Sequence, residues 1–237
     1  MQAYLMKTLG LIGGLTSEST AIYYRLLNQE VRKRSEDDST SEILLWSFDY
    51  AQALPLYLNN KPGYIEAVGE VGVRLKKAGA DALMILSNSA HMGAENLAKV
   101  TDLPVIHILD ALAAEMKDSG VKRPLVLGTD FVMEGNFYLP NLKKRVDIDP
   151  IVPSPIDCKI ANDILFNELA FGTVREESRQ IYIDIIDKAK AQGADSVILG
   201  CTEHCMLLNQ SHHELPVFDS TQLHTQAAVD FQLGQGV

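Results

Sequence analysis

Two hydrophobic periods alternate along the 237-residue chain. Short apolar runs at 8–12, 42–46, 82–86, 125–127 and 197–199, several of them closing on glycine, serine or cysteine turns, predict strands. Between and after them, apolar positions recur every three to four residues over 21–34, 64–78, 109–117, 160–170 and 176–192, the spacing of amphipathic helices. Strands that are apolar throughout, rather than on alternate positions, predict parallel sheets covered by helices on both faces.

The chain also matches itself. Residues 79–87 (GADALMILS) align without gaps on 193–201 (GADSVILGC), 114 positions later, and 9–13 (LGLIG) align on 124–128 (PLVLG), 115 positions later. Two matches at nearly equal spacing point to duplication. The expected fold is therefore α/β, with two pseudo-symmetric three-layer α/β domains built on small parallel sheets. The first domain spans 1–105 plus 216–237, with a C-terminal helix returning to it, and the second spans 106–215. Parallel sheets take ligands beyond the carboxyl ends of their strands, so the active site is expected in the interdomain cleft.

Composition narrows the class. With 21 basic and 31 acidic side chains the formal charge is −10, which argues against a nucleic-acid partner or an anionic membrane surface. The 46% apolar and 22% charged content is that of a globular protein. Three cysteines, Cys158, Cys201 and Cys205, cannot complete a disulfide framework and indicate a reducing compartment, so a cytoplasmic location is expected. No 18-residue apolar run is present, and the N-terminal apolar stretch reads as a buried strand rather than a signal peptide.

The duplication places Ser87 and Cys201 at equivalent strand ends, each followed by a helix start. Free N–H groups there favour anions, so Cys201 is expected to carry more thiolate than an ordinary cysteine. Asn88, Ser89 and Thr202 supply short donors suited to a carboxylate, and Glu203 and His204 could orient the thiol or exchange protons with it. The blander readings stand beside these. Cys158 and Cys205 read as small buried hydrophobes. Cys201, His204 and Cys205 lack a second ligand pair, so no metal site is expected. Gly13-Gly14 lacks the phosphate-loop patterns, and no GxSxG elbow surrounds Ser87. His91 reads as a helix-start residue, and His212-His213 as solvated loop.

Taken in order, the motifs resemble those of the aspartate/glutamate racemases, cofactor-independent enzymes that invert amino acids with two cysteines. Residues 13–20 (GGLTSEST) with Tyr23, Tyr24, Arg25 and Asn28 are similar to the opening GGMSxEST…YYRxxN. Residues 87–91 (SNSAH) are similar to the first catalytic turn, usually CNTxH, and 199–203 (LGCTE) match the second. Gly128-Thr129, Phe137-Tyr138, 167–169 (NEL) with Gly172, and 218–221 (FDST) with His224 fit the remaining signatures. The resemblance implies a homodimer that needs no cofactor and acts on a small acidic amino acid. Cys201 would be the α-proton base addressing the L-enantiomer. Asn88, Ser89 and Thr202 would hold the α-carboxylate and neighbouring polar groups, and Thr16 would line the cleft. Gln52 and Lys159 are the candidates for reading the distal carboxylate.

Ser87 departs from the pattern, since an alcohol is a far weaker acid than a thiol. Ser87, or a water it holds, would then serve the opposite face, giving an enzyme that favours L-aspartate or L-glutamate. A serine introduced in place of a native cysteine would read the same. Val132 stands where a threonine is common. The alternatives are a one-thiol dicarboxylate decarboxylase or isomerase of the same superfamily, and a non-catalytic dicarboxylate-binding protein.

Overall fold

Four of the apolar runs become strands with no exposed residue, each at or beside the centre of a parallel sheet. The computed structural model describes residues 6–35 and 38–235. The chain divides into two units, residues 1–107 with 224–237, and residues 108–223. In the first, β1 (Leu9–Gly13) lies between β2 (Ile43–Ser47) and β3 (Ala82–Ile85), with helices α1 (Ser17–Arg34), α2 (Tyr50–Asn59), α3 (Lys61–Lys77) and α4 (Ala94–Thr101). In the second, β4 (Pro124–Leu127), β5 (Ser196–Leu199) and β6 (Val217–Asp219) pair in that order. Its helices are α5 (Ile108–Ser119), α6 (Asp130–Met133), α7 (Tyr138–Arg145), α8 (Pro155–Asn167), α9 (Glu176–Ala191) and α10 (His204–Leu207). The last helix, α11 (Ser220–Gln232), begins in the second unit, and its residues from His224 onward belong to the first.

Each sheet carries a core cluster on both faces, because successive side chains of a strand point to opposite sides. In the first unit Leu9, Leu11, Ala82 and Met84 pack with Tyr23, Leu27 and Val31 of α1, while Ile12, Leu83 and Ile85 pack with Val68, Val71 and Leu75 of α3. In the second, Leu125, Leu127, Val197 and Leu199 face Tyr182, Ile185 and Ile186 of α9, while Val126 and Ile198 face Leu109 and Leu112 of α5.

The repeat is reproduced down to register. Leu9 pairs with Ala82 in the first sheet, and Pro124 pairs with Ser196 in the second, the partners that the two sequence matches equate. An isolated bridge extends each sheet by a fourth position, Leu83 to Val105 in one and Leu125 to Ile151 in the other. The GAD triplets have a structural job. Gly79 and Gly193 take φ of +106° and +93° as α3 and α9 end, a conformation that costs a residue with a Cβ. Ala80 and Ala194 then donate their N–H groups to Leu75 and Ala189, both at 3.0–3.1 Å. Asp81 and Asp195 turn their carboxylates onto the backbone at the start of the neighbouring strand.

The sequence reading and the structure differ in several places. The second unit runs to Leu223 instead of ending at 215, because β6 completes its sheet beside β5. Three residues were too few to show a period. Helix α2 was not expected, since it follows β2 directly and contains Pro55. Helix α7 was not read either, as only Tyr138 and Leu142 of its eight residues are buried. His212 and His213 are structural rather than merely solvated: His212 accepts from the Asn209 N–H at 3.0 Å, and His213 meets Asp187 at 3.1 Å.

Candidate active site

The first unit sets three of the candidate residues on one turn after β3. The turn is held from β1 outward. Gly14 has φ +78°, and a Cβ there would lie 2.2 Å from the Phe48 carbonyl oxygen, so only glycine fits. Its N–H donates to Thr20 Oγ1 at 2.8 Å, and Thr20 donates onward to the Thr16 carbonyl at 3.0 Å. Thr16 caps α1, its hydroxyl accepting from the Ser19 N–H at 3.0 Å. Ser19 Oγ donates to the Leu86 carbonyl at 2.8 Å, tying this helix start to the residue before Ser87.

Ser87 is partly buried, with its Oγ 3.4 Å from Ser89 Oγ, while Asn88 and Ser89 are buried. Behind them lies a stack of imidazoles. The carbonyl of Ser87 can only accept, so His91 donates to it from Nδ1 at 2.7 Å. The His91 ring is 4.6 Å from His107 and 5.3 Å from His224. His224 donates from Nε2 to the Ile106 carbonyl at 2.7 Å, which leaves Nδ1 to accept from Tyr23 at 2.9 Å. Burial first, and the neighbouring His91 second, push His224 down to about 3, so it is neutral at pH 7. Gln52 is exposed in the first turn of α2, where its side-chain amide donates to Asp49 at 3.0 Å. Lys159 is exposed on α8 in the second unit.

The second unit places Cys201, Thr202 and Glu203 on the turn after β5. Cys201 is partly buried, Thr202 and Glu203 are buried, and the Cys201 thiol donates to Glu203 Oε2 at 3.0 Å. This corrects the expected thiolate. Loss of hydration is the largest cause of a pKa pushed well above the ordinary thiol value. The Glu203 charge and its hydrogen bond add to it, and the Glu203 backbone N–H opposes only in part. The following helix, α10, is four residues long and cannot offset a carboxylate at hydrogen-bond distance. At rest Cys201 is therefore a thiol with a built-in proton acceptor. The equivalent Ser87 has no carboxylate two residues on, since Ser89 stands there.

Three further groups lie around Cys201: His204, which the sequence offers as a partner of the thiol, and two tyrosines that it does not single out individually. Tyr182 of α9 donates to the Ala161 carbonyl at 2.9 Å and lies 3.0 Å from His204 Nε2. His204 is fully buried and pushed down to about 4 by that burial, against the Leu127 backbone. Tyr138, the first residue of α7, is fully buried as well, and its hydroxyl finds no hydrogen-bond partner. Both tyrosines come from positions far from 201 in sequence, and of the two only Tyr138, through the Phe137-Tyr138 motif, carries a signal; His204, expected to orient the thiol, instead meets Tyr182. Cys158 is buried, with its thiol 3.4 Å from the Pro153 carbonyl and pushed up to about 11, first by burial. Among the described residues no group of three or more His, Cys, Asp or Glu side chains is arranged to hold a metal ion. Among them, too, no helix is long and apolar enough to cross a membrane.

Two parallel α/β units with polar turns beyond equivalent strands define the class, and comparison with known proteins defines the family. Residues 12–228 match the Asp/Glu/Hydantoin racemase family model, and the chain belongs to that family. A candidate Asp/Glu racemase from Yersinia pestis is similar in structure at a TM-score of 0.89, with 36% identity over 96% of this chain and 100% of that one. An aspartate racemase homologue from Pyrococcus horikoshii OT3 is similar at a TM-score of 0.84, with 29% identity over 96% of this chain and 99% of that one. The broad specificity amino-acid racemase RacX of Bacillus subtilis is 21% identical, covering 95% of this chain and 98% of its own. Racemases are isomerases, so inversion at a carbon centre is the chemistry of this family.

Proposed function

We propose that the protein is a cofactor-independent racemase of acidic amino acids that favours the L-enantiomer. The observation that carries this reading is the Cys201 thiol on Glu203 Oε2 at 3.0 Å, at the turn after β5. A thiol whose proton already has a carboxylate acceptor can pass it on as it takes the α-proton, so that no exposed thiolate need stand ready beforehand. An approaching substrate ammonium lowers the cost of the negative charge that this leaves on the turn. Asn88, Ser89 and Thr202 would bind the α-carboxylate by hydrogen bonds without adding charge, and Ser87, or a water it holds, would return a proton to the other face. Thr16 and Gln52 belong to the same reading as substrate-side groups, although both side chains already hold local hydrogen bonds.

Support for acidic substrates comes from the Yersinia Asp/Glu racemase candidate and the Pyrococcus aspartate racemase homologue, whereas RacX is a racemase of broad specificity. Val132, buried where the sequence motif often has a threonine, favours a site with one polar donor fewer. The test is α-deuterium uptake in D2O across a panel of L- and D-amino acids. L-aspartate or L-glutamate should exchange fastest, and Cys201→Ala should lower the rate by about 10²–10⁴-fold, the usual worth of a general base. Ser87→Cys should raise exchange of the D-forms. No uptake into any amino acid by the native protein or by Ser87→Cys would refute the reading and favour the binding-protein alternative.

The same reading takes the protein as a cytoplasmic homodimer. Ile156 and Phe171 of the second unit, each 74% exposed, are the kind of side chains a partner surface covers. Light scattering of the purified chain decides the stoichiometry.

A further inference from the structure

We infer that Tyr138 is a positioning residue whose hydroxyl is kept without a protein partner so that it can donate to the Cys201 sulfur once that sulfur has lost its proton. The inference rests on Cys201 acting as the base. Its first ground is an unmet hydrogen bond. Tyr138 is fully buried in the core cluster between β4, β5 and α5, and its hydroxyl has no acceptor. A buried donor left unpaired is costly, and phenylalanine would fill the same space without that cost.

The second ground is place. The hydroxyl lies 3.6 Å from where a Cβ on Gly200 would stand, so it is aimed at the backbone immediately before Cys201. Burial, and then the nearby Cys201, push its own titration far above the ordinary phenol value. Tyr182 provides the contrast. It is equally buried and also feels Cys201, but its hydroxyl is occupied by the Ala161 carbonyl and His204. One tyrosine beside the thiol is satisfied, and the other is not.

The third ground is chemical demand. As a thiol, Cys201 donates to Glu203 and asks little of its surroundings. As a thiolate, with its proton passed to the Glu203 carboxylate, it becomes an acceptor in a poorly hydrated turn. The groups that face it there are Glu203 of its own turn, Cys205 of α10, Tyr138 of α7 and Tyr182 of α9, with neutral His204 behind Tyr182. Of the two tyrosines, Tyr138 is the one whose hydroxyl meets no partner within the protein, so it can share the sulfur with the proton that Glu203 then carries. An interaction present only after proton transfer lowers the barrier without tightening the resting state.

The test is the pH dependence of iodoacetamide alkylation of Cys201 in the free protein, read by mass spectrometry of the peptide that contains it. Tyr138→Phe should move the midpoint up by about one pH unit, roughly tenfold less thiolate at a given pH. It should leave Tm unchanged or raise it by about 2–4 °C, since it removes an unpaired buried polar group. An unmoved midpoint overturns the inference, and an unmoved midpoint with a lowered Tm marks Tyr138 as packing alone. Should Tyr138→Phe not fold, 3,5-difluorotyrosine at 138 keeps the ring and strengthens the donor. It should move the midpoint down relative to the native protein, and no movement again overturns the inference. Retention of α-deuterium exchange by Cys201→Ala would refute the base reading separately, because the alkylation midpoint needs no substrate.

Discussion

In the first unit Asp81 accepts the N–H of Thr8 at 2.7 Å. In the second, Asp195 accepts those of Lys122 and Arg123 at 2.6 and 2.9 Å. The reverse bonds match as well, Asp81 N–H to the Thr8 carbonyl and Asp195 N–H to the Arg123 carbonyl, at 2.9 and 3.1 Å. Six residues further along the same matched segment, the likeness ends. Ser87 presents a hydroxyl beside another hydroxyl, with an imidazole holding its carbonyl, whereas Cys201 presents a thiol to a buried carboxylate. Duplication has preserved what positions the strand and let the reactive end diverge. Backbone-directed contacts tolerate little change, and a side chain past the strand end carries none of the sheet's load.

The largest expected effect separates the two turns by charge. Glu203→Gln keeps the shape and removes the carboxylate, so the Cys201 thiol should titrate closer to its ordinary value and alkylate faster at a given pH. Exchange should nevertheless fall by about 10²–10⁴-fold, because the proton acceptor has gone. A variant that speeds both, or slows both, would show that Glu203 does not play the two parts assigned to it.

Acid stability comes next. Each unit buries one imidazole whose protonation is depressed from the ordinary 6.5, His224 to about 3 and His204 to about 4, in both cases chiefly by burial. A depressed basic group adds stability that is complete above pH 6.5. That stability is lost progressively as pH falls below 6.5 towards the folded value, on the order of 3 kcal/mol for each histidine. Urea midpoints taken from pH 7 to pH 4 should fall steeply. His204→Gln and His224→Gln should each be less stable at pH 7 but show a shallower fall, and an equally steep fall in both would place the acid sensitivity elsewhere.

The smallest effects test the shared clasp. Asp195→Ala should cost about 1–3 kcal/mol and Asp81→Ala less, since one carboxylate satisfies two backbone donors and the other one. Although burial resists it, the Lys122 and Arg123 N–H groups hold the Asp195 carboxyl below the usual range. Gly79→Ala and Gly193→Ala should each cost about 1 kcal/mol through their positive φ. Equal losses for the two aspartates, measured by denaturant unfolding, would break the comparison at its base.

Apolar runs and their self-match made five of the six strands, their parallel sense and the twofold repeat legible from residues alone, whereas which strand pairs with which came from the structure. A wholly buried strand leaves a continuous signal. The same match singled out Ser87 and Cys201, and the motifs around them indicated the family. Local signal failed where burial was slight or the element short, at α2, α7 and β6. It also misjudged the state of the thiol. Whether Cys201 is a thiol or a thiolate depends on how much water the fold removes and on where Glu203 points, and neither quantity is written in a spacing of two residues. The imidazole stack behind Ser87 and the unpaired hydroxyl of Tyr138 likewise belong to packing. They bring together side chains up to 201 positions apart, whose meeting only the closed core could determine.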